Sequence, residues 1–149
     1  HYIERGKGNY YALFFITSNI YGLEKMVESK WSLDPVKGKG YNQSPSSVGL
    51  FQQEFDEIDY KQQLEFLKKT IVSHLQIKQN ITNTELYELT LKHEFKPSQC
   101  NTALKDLIKG RRILARDING NLLNLSSGFY IAYHCYKDKD VKVIFSLIK

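Results

Sequence analysis

An α+β fold is expected for this chain, on three observations. Residues 81–116 carry, in order, the signals of a short helix, a tight junction, a second short helix and a strand. Asn119-Gly120 comes next, a pair whose residues both tolerate the positive φ of a type I′ hairpin turn. Farther on, residues 129–136 and 141–148 are strand-like runs joined by Lys137-Asp138-Lys139-Asp140. Together they predict a winged helix-turn-helix with an additional C-terminal β-hairpin. A strand-helix piece of an α/β unit precedes it, at residues 9–31.

Each element has a local reason. Residues 1–8 are polar and glycine-containing, and read as a loop or frayed end. Residues 9–17 form a near-continuous aromatic and apolar run, which suits a strand covered on both faces. Ser18 or Asn19 can cap a helix, and Leu23, Met26, Val27 and Trp31 recur at helical spacing, so 20–31 reads as an amphipathic helix with Trp31 in the core. From residue 34 to 47 the chain turns rich in Gly, Pro and Ser, a linker or long surface loop. A helix is then expected over 60–78, with Leu64, Phe66, Leu67, Ile71 and Leu75 on its apolar stripe and the acidic residues Glu54, Asp56, Glu57 and Asp59 ahead of it.

The next signals are sharper. Thr82 and Glu85 make a T-x-x-E capping box, so a helix should begin at Asn83, with Leu86, Tyr87 and Leu89 inward and Phe95-Lys96-Pro97 closing it. Pro97 opens the second helix, where its missing N–H has no partner to lose. Cys100, Leu104, Leu107 and Ile108 stack on one side of that helix, and Gly110 stops it. Residues 113–116 and 122–125 are expected to pair through the Asn-Gly turn as the wing. The domain reading is therefore a strand-helix segment at 1–35, taken as the end of an upstream α/β domain, a linker at 36–58, and a winged-helix domain with an extra hairpin at 59–149. Because the chain opens at His1 without Met and runs into an aromatic strand, it reads as a fragment.

Charge narrows the function classes. The chain carries 21 Lys and Arg against 16 Asp and Glu, a net +5. Residues 92–116 hold seven of those cations, Lys92, Lys96, Lys105, Lys109, Arg111, Arg112 and Arg116, against Glu94 and Asp106, which accounts for the whole surplus. A basic second helix with a basic strand behind it is how such a domain meets a nucleic-acid backbone. The expected contacts are Ser98, Gln99, Asn101, Thr102, Lys105 and Lys109 on the outward face, with Arg111, Arg112 and Arg116 on phosphate. The partner is expected to be nucleic acid, DNA first, with a protein partner or homodimer as the alternative.

Other chemistry finds no motif. No apolar run approaches the ~20 residues that span a bilayer, so no membrane partner is expected. The N-terminus lacks a secretory plan, and Cys100 and Cys135 form no motif, which suits a reduced, cytoplasmic setting. His1, His74, His93 and His134 show no metal-ligand spacing, and His134 and Cys135, read as strand neighbours, would point apart. The carboxylates at 54–59 read as a solvated acidic turn, and Gly38-Lys39-Gly40 lacks phosphate-loop spacing. No catalytic residue, metal or cofactor is assigned, and whether the chain serves an enzyme is left open.

One family resemblance adds to this. YYALFFITSNIYGLEKMVESKWSLDP at residues 10–35 resembles the later part of the three-Cys-motif partner family, in its aromatic strand, Thr-Ser-Asn triplet, G-L-E-K-M and closing Trp. Residues 82–112, with T-N-x-E-L, K-P-S and L-K-D-L-x-x-G-R-x-I, are similar to that family's C-terminal helical part. The resemblance implies a methyltransferase-like α/β sheet upstream of His1. It implies that this chain is the accessory or targeting part of a larger bacterial or phage-related protein, or the C-terminal part of such an enzyme. No catalytic residue carries over: there is no glycine-rich cofactor loop, and Ser18-Asn19-Ile20-Tyr21 lacks the Pro-Pro of a methyltransferase loop.

Overall fold

A computed structural model describes residues 2–4, 10–12, 16–38, 52–126 and 128–148, the side chains of 2–4, 10–12 and 52–57 excepted. It is mixed α+β, with five helices and a small three-stranded antiparallel sheet among these residues. The chain divides into two compact units, residues 1–63 and 64–149.

In the first unit, β1 (Tyr2–Glu4) pairs antiparallel with β2 (Tyr10–Ala12), in the register Tyr2↔Ala12, Ile3↔Tyr11 and Glu4↔Tyr10. The sequence placed a loop at 1–8 and a single longer strand at 9–17. Tyr2 and Ile3 are themselves good strand formers, and Ile16 and Thr17 lie outside any strand. α1 (Ile20–Leu33) starts as expected, with Asn19 Oδ1 accepting the Tyr21 N–H at 2.9 Å. Val27 and Trp31 are buried, and Trp31 meets Tyr60 edge to face at 6.3 Å. Gly38 closes over that indole at φ +63, where a Cβ would stand 2.5 Å from Trp31 Cε2. Only glycine satisfies both constraints.

α2 (Gln52–Lys78) begins well before the Tyr60 expected, inside the stretch read as linker. Its early turns hold Glu54, Asp56, Glu57 and Asp59, and the helix dipole favours carboxylates there. The expected linker residues 39–51 lie outside the described residues. Farther along α2, Leu64, Leu67, Ile71 and Leu75 are buried. Phe66 is not: one residue off that stripe is about 100° around the helix, and it is 53% exposed, lying against Phe95 and His93 at centroid distances of 6.4 and 6.1 Å.

The second unit continues with β3 (Asn80–Thr82), α3 (Asn83–Lys92), α4 (Pro97–Lys109), β4 (Ile113–Asp117), α5 (Tyr133–Lys137) and β5 (Val143–Leu147). The sheet runs β3-β5-β4, so the last strand is the central one. Ile81, Phe145 and Ala115 form an inward row with Ile113 and Val143 beside it, all buried.

Of the two hairpin expectations, the wing forms in shortened form with a different turn and the second hairpin fails. Asp117 N–H donates to Asn121 O and Gly120 N–H to Asp117 O, at 2.9 and 3.0 Å, and only Gly120 of the Asn-Gly pair has positive φ, at +88. This is a three-residue turn closed by a left-handed glycine, in place of type I′. The Asp117 carboxylate fixes it by accepting the N–H groups of Asn119 and Asn121 and the Asn121 side chain. The return strand is short: it keeps one bridge, Arg116↔Leu122, with Leu123 N–H donating to Ala115 O at 2.9 Å, on the edge of β4 opposite β5. The additional C-terminal hairpin is absent. Residues 129–132 pass through the core as irregular chain, Phe129 and Ile131 buried, and 133–137 are helical. Packing overrides the strand preference of this aromatic stretch: Phe129 meets Phe145 at 5.6 Å and Tyr136 meets Tyr87 at 5.4 Å.

Asn83 holds this irregular segment to α3. Its side chain is fully buried, donates to the carbonyls of Tyr130 and Asp140 at 3.1 Å each, and accepts the N–H groups of Lys142 at 3.0 Å and Val143 at 3.4 Å. Every donor and acceptor direction of the amide is used.

The helix ends share an economy of glycine. Gln79, Glu94, Arg111 and Lys139 come after α2, α3, α4 and α5 with φ of 66, 63, 54 and 52, a left-handed position that favours glycine. Lys139 is exposed and its N–H bonds Tyr136 O at 3.2 Å, so Lys139→Gly keeps the bond and removes the strain. This variant is expected to raise stability by about 0.5 to 1 kcal/mol, read as a higher urea midpoint at unchanged slope. No helix among the described residues is long and apolar enough to cross a membrane.

Candidate nucleic-acid interface

α3 and α4 meet through a turn that the sequence specifies closely. Thr82 Oγ1 accepts the Glu85 N–H at 3.3 Å, while Glu85 Oε2 accepts the Thr82 N–H at 2.9 Å and Oε1 meets Lys78 Nζ at 2.8 Å. Burial alone would push the Glu85 carboxyl up, but the Lys78 ammonium and the Thr82 N–H outweigh it and hold it below the usual range. α3 ends where Phe95 N–H reaches Thr90 O at 3.0 Å. α4 then starts at Pro97, with Gln99 Oε1 accepting the Lys96 N–H at 2.8 Å.

The buried side of α4 is Gln99, Cys100, Ala103, Leu104 and Leu107. Gln99 therefore corrects the sequence reading: it is 4% exposed and caps its own helix, so it is not an outward contact. Its signal was its position, third in the helix, where Gln and Glu reach back. Cys100 lies fully inside, and burial pushes its thiol up to about 12 against the opposing bond from Thr90. Burial also raises Cys135. On α5, not a strand, His134 is exposed and Cys135 buried, so the pair still does not meet.

The outward side carries Ser98, Thr102, Lys105 and Lys109 at spacings of four, three and four, one continuous stripe. The Thr102 hydroxyl donates back to Ser98 O at 3.2 Å. Asn101 is half-buried at the edge, its amide donating to Pro97 O at 3.2 Å while its buried Oδ1 has no hydrogen-bond partner among the described residues. Asp106, next to Lys105 in sequence, is engaged by a cation of another helix. It binds Lys68 of α2 at 2.6 Å, and Lys68 also binds Glu65 at 2.7 Å. Burial disfavours the Lys68 ammonium, yet these two carboxylates raise its affinity for the proton overall. Lys68 was not legible as part of this surface, since it lies outside the basic window.

Behind α4, Gly110 caps the helix at φ −75, and the left-handed residue is Arg111. Arg111 N–H donates to Ile108 O and Arg112 N–H to Leu107 O, both at 2.9 Å. These two bonds turn the chain sharply into β4. Arg111, Arg112 and Arg116 are all exposed. Arg116 alternates with the buried Ile113 and Ala115, which puts it with Arg112 on the sheet face away from the core.

The charges differ from those elsewhere. Lys25, Lys37, Lys68, Lys78, Lys92 and Lys142 each meet a carboxylate within 3.1 Å. Among the described residues Lys105, Lys109, Arg111, Arg112 and Arg116 have no such ion pair, a condition shared by Lys69, Lys137 and Lys139. The surface that keeps consecutive cations unneutralised is α4 and its exit.

A cleft of about 260 Å³ lies elsewhere on this unit, lined by His74, Lys78, Ile81, Glu85, Glu88, Leu89 and Lys92. Its cations are already matched, Lys78 to Glu85 and Lys92 to Glu88 at 2.8 and 2.6 Å. Among the described residues no group of three or more His, Cys, Asp or Glu is placed to hold a metal ion. Comparison with protein-family models, with curated proteins and with solved structures finds no match.

Proposed function

We propose that residues 64–149 are a winged-helix module that grips a nucleic-acid backbone, duplex DNA first, with α4 and the turn behind it. The order α2-β3-α3-α4-β4-β5 and the sheet order β3-β5-β4 fit that architecture, with α5 inserted between the last two strands. The carrying observation is the unneutralised stripe: Lys105 and Lys109 stand free on α4 with Arg111 next in line, while Lys68 draws off the neighbouring Asp106. A phosphate backbone is the partner such a row of cations lacks. Ser98 and Thr102 share the stripe and are the groups nearest to reading a base edge. In this reading the chain is the targeting part of a larger protein, as the three-Cys-motif partner resemblance implies.

The test is fluorescence anisotropy of a labelled DNA duplex with the full chain over a salt series. About three neutralised phosphates, at Lys105, Lys109 and Arg111, correspond to a slope of log K against log salt of about −3. An affinity that does not change with salt rules the reading out.

A further inference from the structure

The sheet β3-β5-β4 has a second face, turned away from the buried row of Ile81, Phe145 and Ala115. Residues opposite one another across a ladder share a face, so the register defines it. Leu114 stands beside Ser146, Arg116 beside Ile144 and Leu122 beside Arg116, and Ile148 donates its N–H to Arg112 O at 3.1 Å. The face therefore carries four aliphatic side chains, Leu114, Leu122, Ile144 and Ile148, with Arg112 and Arg116 among them. Leu122 is 64% and Ile148 40% exposed, and Leu114 and Ile144 are half-buried.

This chemistry differs from that of α4. A phosphate backbone makes no use of aliphatic surface, and bases stack on aromatic rings, which this face does not offer. Aliphatic side chains around arginines that lack carboxylates suit a protein segment that supplies both complements. Its apolar residues would cover the leucines and isoleucines, and its carboxylates would take the guanidinium forks. We propose that the outer face of β4 and β5 docks an acidic amphipathic protein segment, with Arg112 and Arg116 as its charged anchors. The inference rests on the sheet register and stands independently of what α4 binds.

The test is an amide chemical-shift titration of the full chain with three probes: a short peptide alternating Glu and Leu, the same peptide with Lys for Glu, and a short DNA duplex. The Glu peptide is expected to move the amides of Leu114, Arg116, Ile144 and Ile148. Both Leu122→Glu and Arg116→Ser, at exposed positions, should weaken its binding by roughly tenfold or more while leaving the dispersed spectrum of the folded chain. No response up to ~1 mM peptide, an equal response to the Lys peptide, or displacement of the Glu peptide from this face by the duplex would each overturn the proposal.

Discussion

Asn83→Ala is expected to lower the unfolding free energy of residues 64–149 by about 3 to 4 kcal/mol, the largest effect of any single polar substitution in this unit. The amide is fully buried and bonds the backbone at Tyr130, Asp140, Lys142 and Val143. Alanine leaves two carbonyls and two N–H groups without that partner, at ~1 kcal/mol or more for each that stays dry. Asn83→Asp separates hydrogen bonding from volume. Its carboxylate can still accept from Lys142 and Val143, but it faces two carbonyl oxygens with no donor, so its folded pKa must rise above the ~3.9 of the unfolded chain. A raised carboxyl pKa gives stability that is present below the unfolded value and lost as pH rises through the folded value. Asn83→Asp should therefore recover on acidification towards about pH 4 relative to the native chain, and Asn83→Ala should not. Urea midpoints of the three proteins over a pH series give the answer. A loss in Asn83→Ala below ~1 kcal/mol would mean that the four backbone groups find other partners.

The second large effect concerns binding. Lys105→Ala, Lys109→Ala and Arg111→Gly combined should weaken duplex binding by on the order of a hundredfold at low salt and make the salt slope shallower by about three. Glycine is chosen at Arg111 because φ is 54 there, so the change relieves strain instead of adding it. Lys78→Ala removes a cation already paired to Glu85 and should leave the slope as it was. If the triple variant binds as the native chain does, α4 is not the nucleic-acid surface. The native salt series and the variant thus test the partner and the site separately.

Local chemistry was legible where the sequence carries it locally. Thr82 with Glu85, Pro97 and Gly110 fix the bounds of α3 and α4, since each acts within one helical turn. The stripe of Ser98, Thr102, Lys105 and Lys109 derives from those bounds by helical spacing alone. What was not legible depends on distant partners. Nothing near Asn83 announces that its amide will serve chain some sixty positions later, and nothing near β4 announces that β5 will pair along its length while the return of the wing keeps a single bridge. Residues 129–136 have the composition of a strand, yet they are threaded beside Phe145 and Tyr87, where burial decides their shape. Phe66 and Gln99 fail in a related way. Residue type suggested core for one and surface for the other, and their angular positions on the helices reverse both.

The place of β5 has a consequence for synthesis. Translation delivers β3 and β4 first, and β3 has no ladder and β4 only its bridge to Leu122 until residues 143–147 appear to fill the gap between them. A nascent chain stopped before Val143 would expose two unsatisfied strand edges together with the apolar row of Ile81, Ile113 and Ala115. The helical pair α3 and α4 can form early, but the unit closes only with its final strand. Ribosome-bound intermediates of this domain should therefore depend on chaperones until the very end of β5 has been made.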